Sequence, residues 1–301
     1  MTAEIILHHY DTSPFSEKVR VMLGLKGLAW RSVIQPVIMP KPDLIPLTGG
    51  YRRIPVMQIG ADVYCDTQMI LAELEARAPK PALIHGGDWA VNLWADRLFF
   101  QATVAVVFGE IGDQVPREFL EDREKLSGRP FDLPAMKAVA GPMKAQWRAQ
   151  AAWIEQGLSA GDYLGGSTPS LADIAAYMNV WWLGRAAGRV AATLLTGLPK
   201  TIAWRDRMAA LGHGKRSEMT GAEALKVAMT GAPGPAPASD PNDPFKPGDA
   251  VSVRADDYGR DAVSGTLVAI TPDRIVVARE CGELNLINVH FPRVGYVLSA
   301  A

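Results

Sequence analysis

The apolar pattern changes period twice along the chain, and this constrains the fold more than any single motif. From about Trp89 to Met229 apolar residues recur at helical spacing without a strand signal, most clearly in Trp89–Phe108, Pro134–Leu158, Ser170–Ala187 and Pro199–Leu211. That spacing lines one face of each helix, so residues 88–230 are expected to form an all-α domain of five or more helices. Before them the pattern is mixed. Ile5–His9 reads as a strand, and Ser13-Pro14 starts a helix with Ser at the N-cap and Pro at the first turn. Phe15, Val19, Met22 and Leu23 share its inner face, with Lys18 and Arg20 expected toward solvent. Trp30–Ile34 reads as a second strand, and residues 36–50 as irregular chain rich in Pro and Gly. Ile54–Ile59 and Val63–Cys65 flank Gly60-Ala61-Asp62 as a hairpin. A helix over Gln68–Ala78, closed by Pro79 and Pro81, completes an α/β unit in residues 1–80.

After the helical stretch, Gly231–Pro244 reads as a semi-extended linker of Ala, Pro, Gly and Asp. Residues 245–301 then carry five short strands separated by turn residues, the pattern of a small all-β, SH3-like barrel. So small a module is expected to pack on the rest of the chain or on a partner. At 301 residues the whole is too long for one ordinary core. The net charge of -1, and six Lys/Arg against seven Asp/Glu from Phe245 onward, give no basic footprint for nucleic acid or an anionic membrane. No apolar run approaches the roughly 20 residues of a membrane span, and Met1–Tyr10 has no secretory pattern. A cytoplasmic location is expected. The two cysteines, Cys65 and Cys281, lie in different segments and read as neither a disulfide framework nor a metal site. Cys65 reads as a small buried hydrophobe. His8 and His9 alternate across a strand, so no metal is expected.

Three features of the first unit fit together: Ser13-Pro14-Phe15-Ser16 at a strand-to-helix junction, Ile54-Pro55 before a strand, and Asp66-Thr67 opening a helix. The run Tyr10–Arg20 resembles the first-helix motif of cytosolic glutathione transferases. Arg53-Ile54-Pro55-Val56 is similar to their basic-x-Val-Pro segment, whose proline is cis, and Asp66-Thr67 stands where most members have an acidic residue and Ser. Thr168-Pro169-Ser170-Leu171-Ala172-Asp173 resembles their capping box on a buried helix. The resemblance spans about residues 4–215. It implies a thioredoxin-like N-terminal domain, an all-α C-terminal domain, glutathione as co-substrate and a homodimer.

The resemblance implies glutathione contacts at Phe15, Arg53, Ile54, Pro55, Asp66 and Thr67. The chemistry is reasonable. A helix N-terminus at Thr67 offers N–H groups to a carboxylate, Asp66 suits an ammonium, Arg53 suits a second carboxylate, and an exposed backbone at Ile54 can pair like an added strand. Ser13 holds the family's catalytic position, where a hydroxyl and the helix dipole favour a thiolate; Tyr10 and Ser16 are alternatives, Thr12 a weaker one. Each also has a plainer role: Ser13 as an N-cap, Asp66-Thr67 as helix caps, Tyr10 as core or site wall. Some relatives with Cys-Pro-Phe act by mixed-disulfide exchange; Ser13 in that position disfavours it here. Ser170 and Asp173 read as structural. Trp94, Phe99, Phe100 and Phe108 on the first long helix read first as core and second as a wall over the thiol. The expected function is transfer of glutathione to a small apolar electrophile. The alternative is a glutathione-binding or scaffold protein without turnover, with the β module as an interaction domain.

Overall fold

One sheet joins the first unit of the chain to the last. The structure, a computed structural model, describes residues 4–280 and 282–301, so Cys281 lies outside the described residues. The N-terminal unit runs β1 (Ile6–His9), α1 (Pro14–Leu25), β2 (Ala29–Ile34), α2 (Ile45–Thr48), β3 (Val56–Ile59), β4 (Asp62–Cys65) and α3 (Thr67–Arg77). β1 pairs parallel to β2 and antiparallel to β3, and β3 pairs antiparallel to β4. This is the thioredoxin-like arrangement, with α1 and α3 on one face. The helical domain follows: α4 (Asp88–Trp94), a π-helical turn at Ala95–Phe99, α5 (Phe100–Ile111), α6 (Arg117–Ser127), α7 (Leu133–Gly157), α8 (Leu171–Ala186), α9 (Gly188–Leu194) and α10 (Pro199–Ala210). Helix α8 is its centre: Leu171, Ile174, Ala175, Met178 and Leu183 are buried, and Ser170 and Asp173 form its capping box. Trp204 Nε1 donates to Asp173 Oδ1 at 2.8 Å, tying α10 to that cap. The stretch Asp88–Gln114 is long and apolar enough to cross a membrane by length and composition; here Phe99, Ala102, Val106 and Val107 bury it in the helical core.

The expectation of helix throughout 88–230 gives way near its end. Strand β5 (Lys215–Glu218) adds parallel to β2, and α11 (Gly221–Thr230) lies over the N-terminal sheet with Ala224 buried beside Ile6 and Val33. All four residues of β5 are exposed, so no apolar alternation announced a strand. Their charges suit an edge, where they oppose pairing with another chain. A second difference concerns Lys18 and Arg20, expected at the surface. Both are buried. Arg20 donates to Glu17 Oε2 at 2.6 Å and to the carbonyls of Tyr10 and Asp11; Lys18 crosses to the helical domain, as described below.

The C-terminal module comprises β6 (Ala250–Ala255), β7 (Val263–Ile270), β8 (Arg274–Glu280), β9 (Leu286–Pro292) and β10 (Tyr296–Ala300), an all-β unit of antiparallel neighbours. It packs on the rest of the chain through strand pairing. β9 runs parallel to β4, with Asp62, Val63 and Tyr64 opposite Asn288, Val289 and His290. The result is a ten-stranded sheet in the order β10-β6-β7-β8-β9-β4-β3-β1-β2-β5. The module's core, including Val253, Leu267, Ile275 and Val289, is continuous with Leu44, Leu47, Val56, Val63 and Cys65 of the first unit. The linker is pinned as well, Gly234 N donating to Asp62 Oδ2 at 2.7 Å and Asp240 N to the Ile270 carbonyl.

Burial of β1 has a measurable consequence. His8 bonds Gln58 Oε1 at 3.0 Å and Gln35 Nε2 at 3.2 Å, and burial pushes its pKa from 6.5 down to about 4. Between those values the unfolded chain binds a proton that the folded chain refuses. Stability is therefore full above about pH 6.5 and drains as pH falls toward 4, by about 2 kcal/mol for this group between pH 7.5 and 5. The urea midpoint is expected to fall over that interval, and His8→Gln to flatten the slope. An equal slope in the variant would show that other groups carry it.

Candidate functional site

The first helix starts where expected. Ser13 is extended (φ -75°, ψ 122°), its Oγ accepts from Ser16 N at 3.1 Å, and Pro14 occupies the first turn. The Ile54–Pro55 bond is cis, which turns the chain into β3. Asp66 has φ 74°, the left-handed region, and its Oδ1 accepts from Gln68 N at 2.9 Å to cap α3. Thr67 Oγ1 accepts from Lys18 Nζ at 3.2 Å. Phe15, Arg53, Ile54, Pro55, Asp66 and Thr67 thus converge on one cavity between the first two domains. Among the hydroxyl candidates, Ser13 and Tyr10 line a second, adjoining cavity. Ser16 belongs to neither: it is fully buried, and its Oγ has no hydrogen-bond partner. It is set aside as a thiol activator.

The first cavity measures only about 50 Å³ because the C-terminal module reaches into it. Asp257 is ion-paired with Arg53, and the Tyr258 ring lies 4.0 Å from the guanidinium carbon. Tyr296 OH donates to Asp66 Oδ2 at 3.1 Å and lies 3.3 Å from Tyr51 OH. Burial raises the pKa values of Tyr51 and Tyr296 well above the ordinary phenol range, aided by the nearby Asp66 carboxylate, so both remain neutral donors. Arg97 on the helical side binds Asp256 at 2.8 Å and Asp257 at 3.3 Å. Gly259, with φ +57°, allows the close crossing: a Cβ there would lie 2.9 Å from Arg53 Nε and from Leu126 Cδ1. The charged anchors for an extended anionic peptide are present, but each is already matched from within the chain.

Beneath this cavity lies the bridge between domains. Lys18 Nζ, buried, donates to Asp96 Oδ1 and Asn92 Oδ1, each at 2.7 Å. Burial raises the Asp96 pKa while Lys18 opposes the rise.

The second cavity is larger, about 360 Å³, and mostly apolar, within the usual range for a small-molecule site. Its floor is Ser13, Pro14 and Ile54; its wall is Phe100, Phe108, Phe119, Phe131 and Trp182. Phe15 meets Phe100 edge-on at 4.7 Å and so separates the two spaces. The four aromatics of the first long helix therefore divide. Phe100 and Phe108 face the cavity, whereas Trp94 stacks on Phe99 at 5.0 Å in the core. Four cations, Lys41, Arg52, Arg53 and Arg123, also line the cavity. Lys41 and Arg123 escaped the sequence reading, one in irregular chain and the other on the charged helix α6. Among the described residues no group of three or more His, Cys, Asp or Glu is placed to hold a metal.

A thioredoxin-like unit with a cis-proline loop, docked on an all-α domain across a cleft, defines a class of two-domain folds. Comparison places the chain within it. Residues 7–82 match the glutathione S-transferase N-terminal domain and residues 117–207 its C-terminal domain. A GST-like protein of Pseudomonas syringae, solved to 2.4 Å, is 37% identical with a TM-score of 0.82, covering 100% of both chains and therefore the β module too. FtsZ-localized protein A of Caulobacter vibrioides is 29% identical over 179 residues, 58% of this chain and 75% of that protein. A glutathione S-transferase from Rhodospirillum rubrum shares the fold at 21% identity and a TM-score of 0.54, over 68% of this chain and 88% of that one. The chain belongs to the glutathione S-transferase family.

The interdomain bridge is testable. Lys18→Met leaves Asp96 buried without its cation and is expected to cost about 3–5 kcal/mol. Lys18→Met with Asp96→Leu should recover most of it. Urea denaturation of both variants checks this, and a single variant as stable as wild type would remove the bridge from the account.

Proposed function

We propose that the protein is a glutathione-dependent transferase for a small apolar electrophile, held in the aromatic cavity beside Ser13. One observation carries this reading: a single cavity of about 360 Å³ joins Ser13, the N-terminus of α1 and Ile54 to an aromatic wall from the helical domain. Glutathione, when bound, supplies a thiol nucleophile. The Ser13 oxygen accepts from Ser16 N, so its hydroxyl proton serves as a donor, shared between the Tyr10 oxygen and a group bound in the cavity. The end of α1 adds partial positive charge there, and both effects favour a thiolate. Ser13 is 2% exposed, so the hydroxyl acts with little competition from bulk water.

The anchors fit the tripeptide chemically. Arg53 suits a carboxylate, Asp66 an ammonium, and the open N–H groups of α3 a second carboxylate. Asp257 and Tyr296 hold the same atoms in this conformation. Binding therefore exchanges one carboxylate for another at Arg53, so module and tripeptide compete. The reading also carries a cytoplasmic homodimer. Leu98 and Trp153, 62% and 58% exposed, offer apolar surface for it.

A second reading is a binding or scaffold protein without turnover, with the β module as interaction domain. It is favoured by the same contacts of Asp257 and Tyr296. The Caulobacter relative's name likewise records FtsZ localisation rather than a reaction.

Calorimetry with glutathione, followed by an electrophile screen for turnover, separates the two. Asp257→Ala is expected to bind at least tenfold more tightly than wild type, about 1.4 kcal/mol, and Asp66→Ala to bind more weakly. Ser13→Ala should then lose turnover in an electrophile screen while retaining glutathione binding. No heat from wild type or Asp257→Ala at millimolar glutathione would leave the second reading standing.

A further inference from the structure

The walls of the aromatic cavity do not match a purely apolar guest. Lys41, Arg52, Arg53 and Arg123 line it, and among the described residues no Asp or Glu does. Two carboxylates stand behind these cations. Asp122 pairs with Arg52 and lies 3.2 Å from Arg123, and Asp257 pairs with Arg53. Four cations against two anions leave the cavity with a surplus of positive charge in a chain whose overall charge is -1.

Lys41 is the clearest case. It is 3% exposed, and its Nζ meets only the backbone carbonyls of Pro36 and Ile38. A buried ammonium that hydrogen-bonds no carboxylate is costly. Burial and the nearby Arg123 push its pKa down to about 8, against the opposing pull of the Asp122 carboxylate. Arg123 sends Nη2 to the Val37 carbonyl at 2.6 Å and lies over the Phe119 ring at 4.8 Å, while its Nε is buried without a hydrogen-bond partner. The cations thus sit beside the aromatic wall with donor capacity left over.

We propose that the ligand of this cavity is an aryl- or alkyl-substituted carboxylic acid, its apolar body on the aromatic wall and its carboxylate against Lys41 and Arg123. This rests on the reading of the cavity as the co-substrate seat and narrows it from any apolar electrophile to an acid. A carboxylate accepts two charge-assisted hydrogen bonds at once and supplies the negative charge that the lining lacks. Phe119 and Phe131 position the body of the ligand near Ser13. Arg52, held by Asp122, keeps the neighbouring field positive.

The experiment compares 4-phenylbutyrate with its neutral amide, by calorimetry at pH 7 on the full chain without glutathione. The acid is expected to bind wild type at least tenfold more tightly than the amide. Lys41→Met and Arg123→Gln should each bring that ratio below threefold, with amide binding unchanged as the sign of an intact cavity. Equal affinity of acid and amide for wild type would overturn the proposal. So would displacement of the acid by glutathione together with an equal weakening of both by Lys41→Met, since the cations would then be the tripeptide's own carboxylate seat. Acid preference is read without thiol chemistry. A chain that binds the acid but not glutathione keeps this inference while losing the transferase reading, and the converse result sinks this inference alone.

Discussion

The parallel pairing of β9 with β4 is the contact on which the remaining arrangement depends. It joins residues more than two hundred positions apart, and polar groups lock its register. His290 Nε2 lies 2.8 Å from Asp62 Oδ1 and its ring stacks on Tyr64 at 4.4 Å. Asp62 Oδ2 takes the linker amide of Gly234. A shift by one residue would invert every side chain of β9, placing Asn288 and His290 where Val289 and Phe291 now pack and breaking the core shared with Val56 and Val63. With the register held, the turn at 256–259 falls on Arg53 and Tyr296 on Asp66. The module is a fixed wall of the small cavity rather than an appendage.

The charges divide accordingly. Around the small cavity almost every ionic group has an internal partner: Arg53 with Asp257, Arg97 with Asp256, Lys18 with Asp96. Around the aromatic cavity the cations outnumber the anions. Two adjoining spaces, separated by the Phe15–Phe100 contact, therefore offer different surroundings to an incoming ligand. One is satisfied and narrow; the other is roomy, apolar and positively biased. Arg53 borders both, so a change at one is felt at the other.

Much of this was legible because local chemistry announces itself. Ser13-Pro14, Ile54-Pro55, Asp66-Thr67 and the Ser170–Asp173 cap each use a residue whose backbone preference or hydrogen-bonding pattern is its signal, and each took the expected local form. The five strands of the module were visible from alternation and turn residues. Other features were hidden because distant partners create them. Lys18 reads as solvated until Asn92 and Asp96 arrive from the next domain. Lys215–Glu218 becomes a strand only because β2 offers an edge. The aromatic cavity draws Lys41 and Arg123 from segments with no apolar period, and Tyr258 from a turn in another domain. Convergence of that kind has no one-dimensional trace.

The order of strands in the sheet bears on how the protein is made. The first unit leaves the ribosome with β2 and β4 as bare edges. β2 waits for residues 215–218 and β4 for residues 286–292. Domains fold as they emerge, and unpaired edges are the surfaces by which nascent chains stick to one another. Until residues 215–218 emerge, then, the thioredoxin-like unit is open on both flanks. The strand that seals its second flank is translated more than two hundred residues after β4.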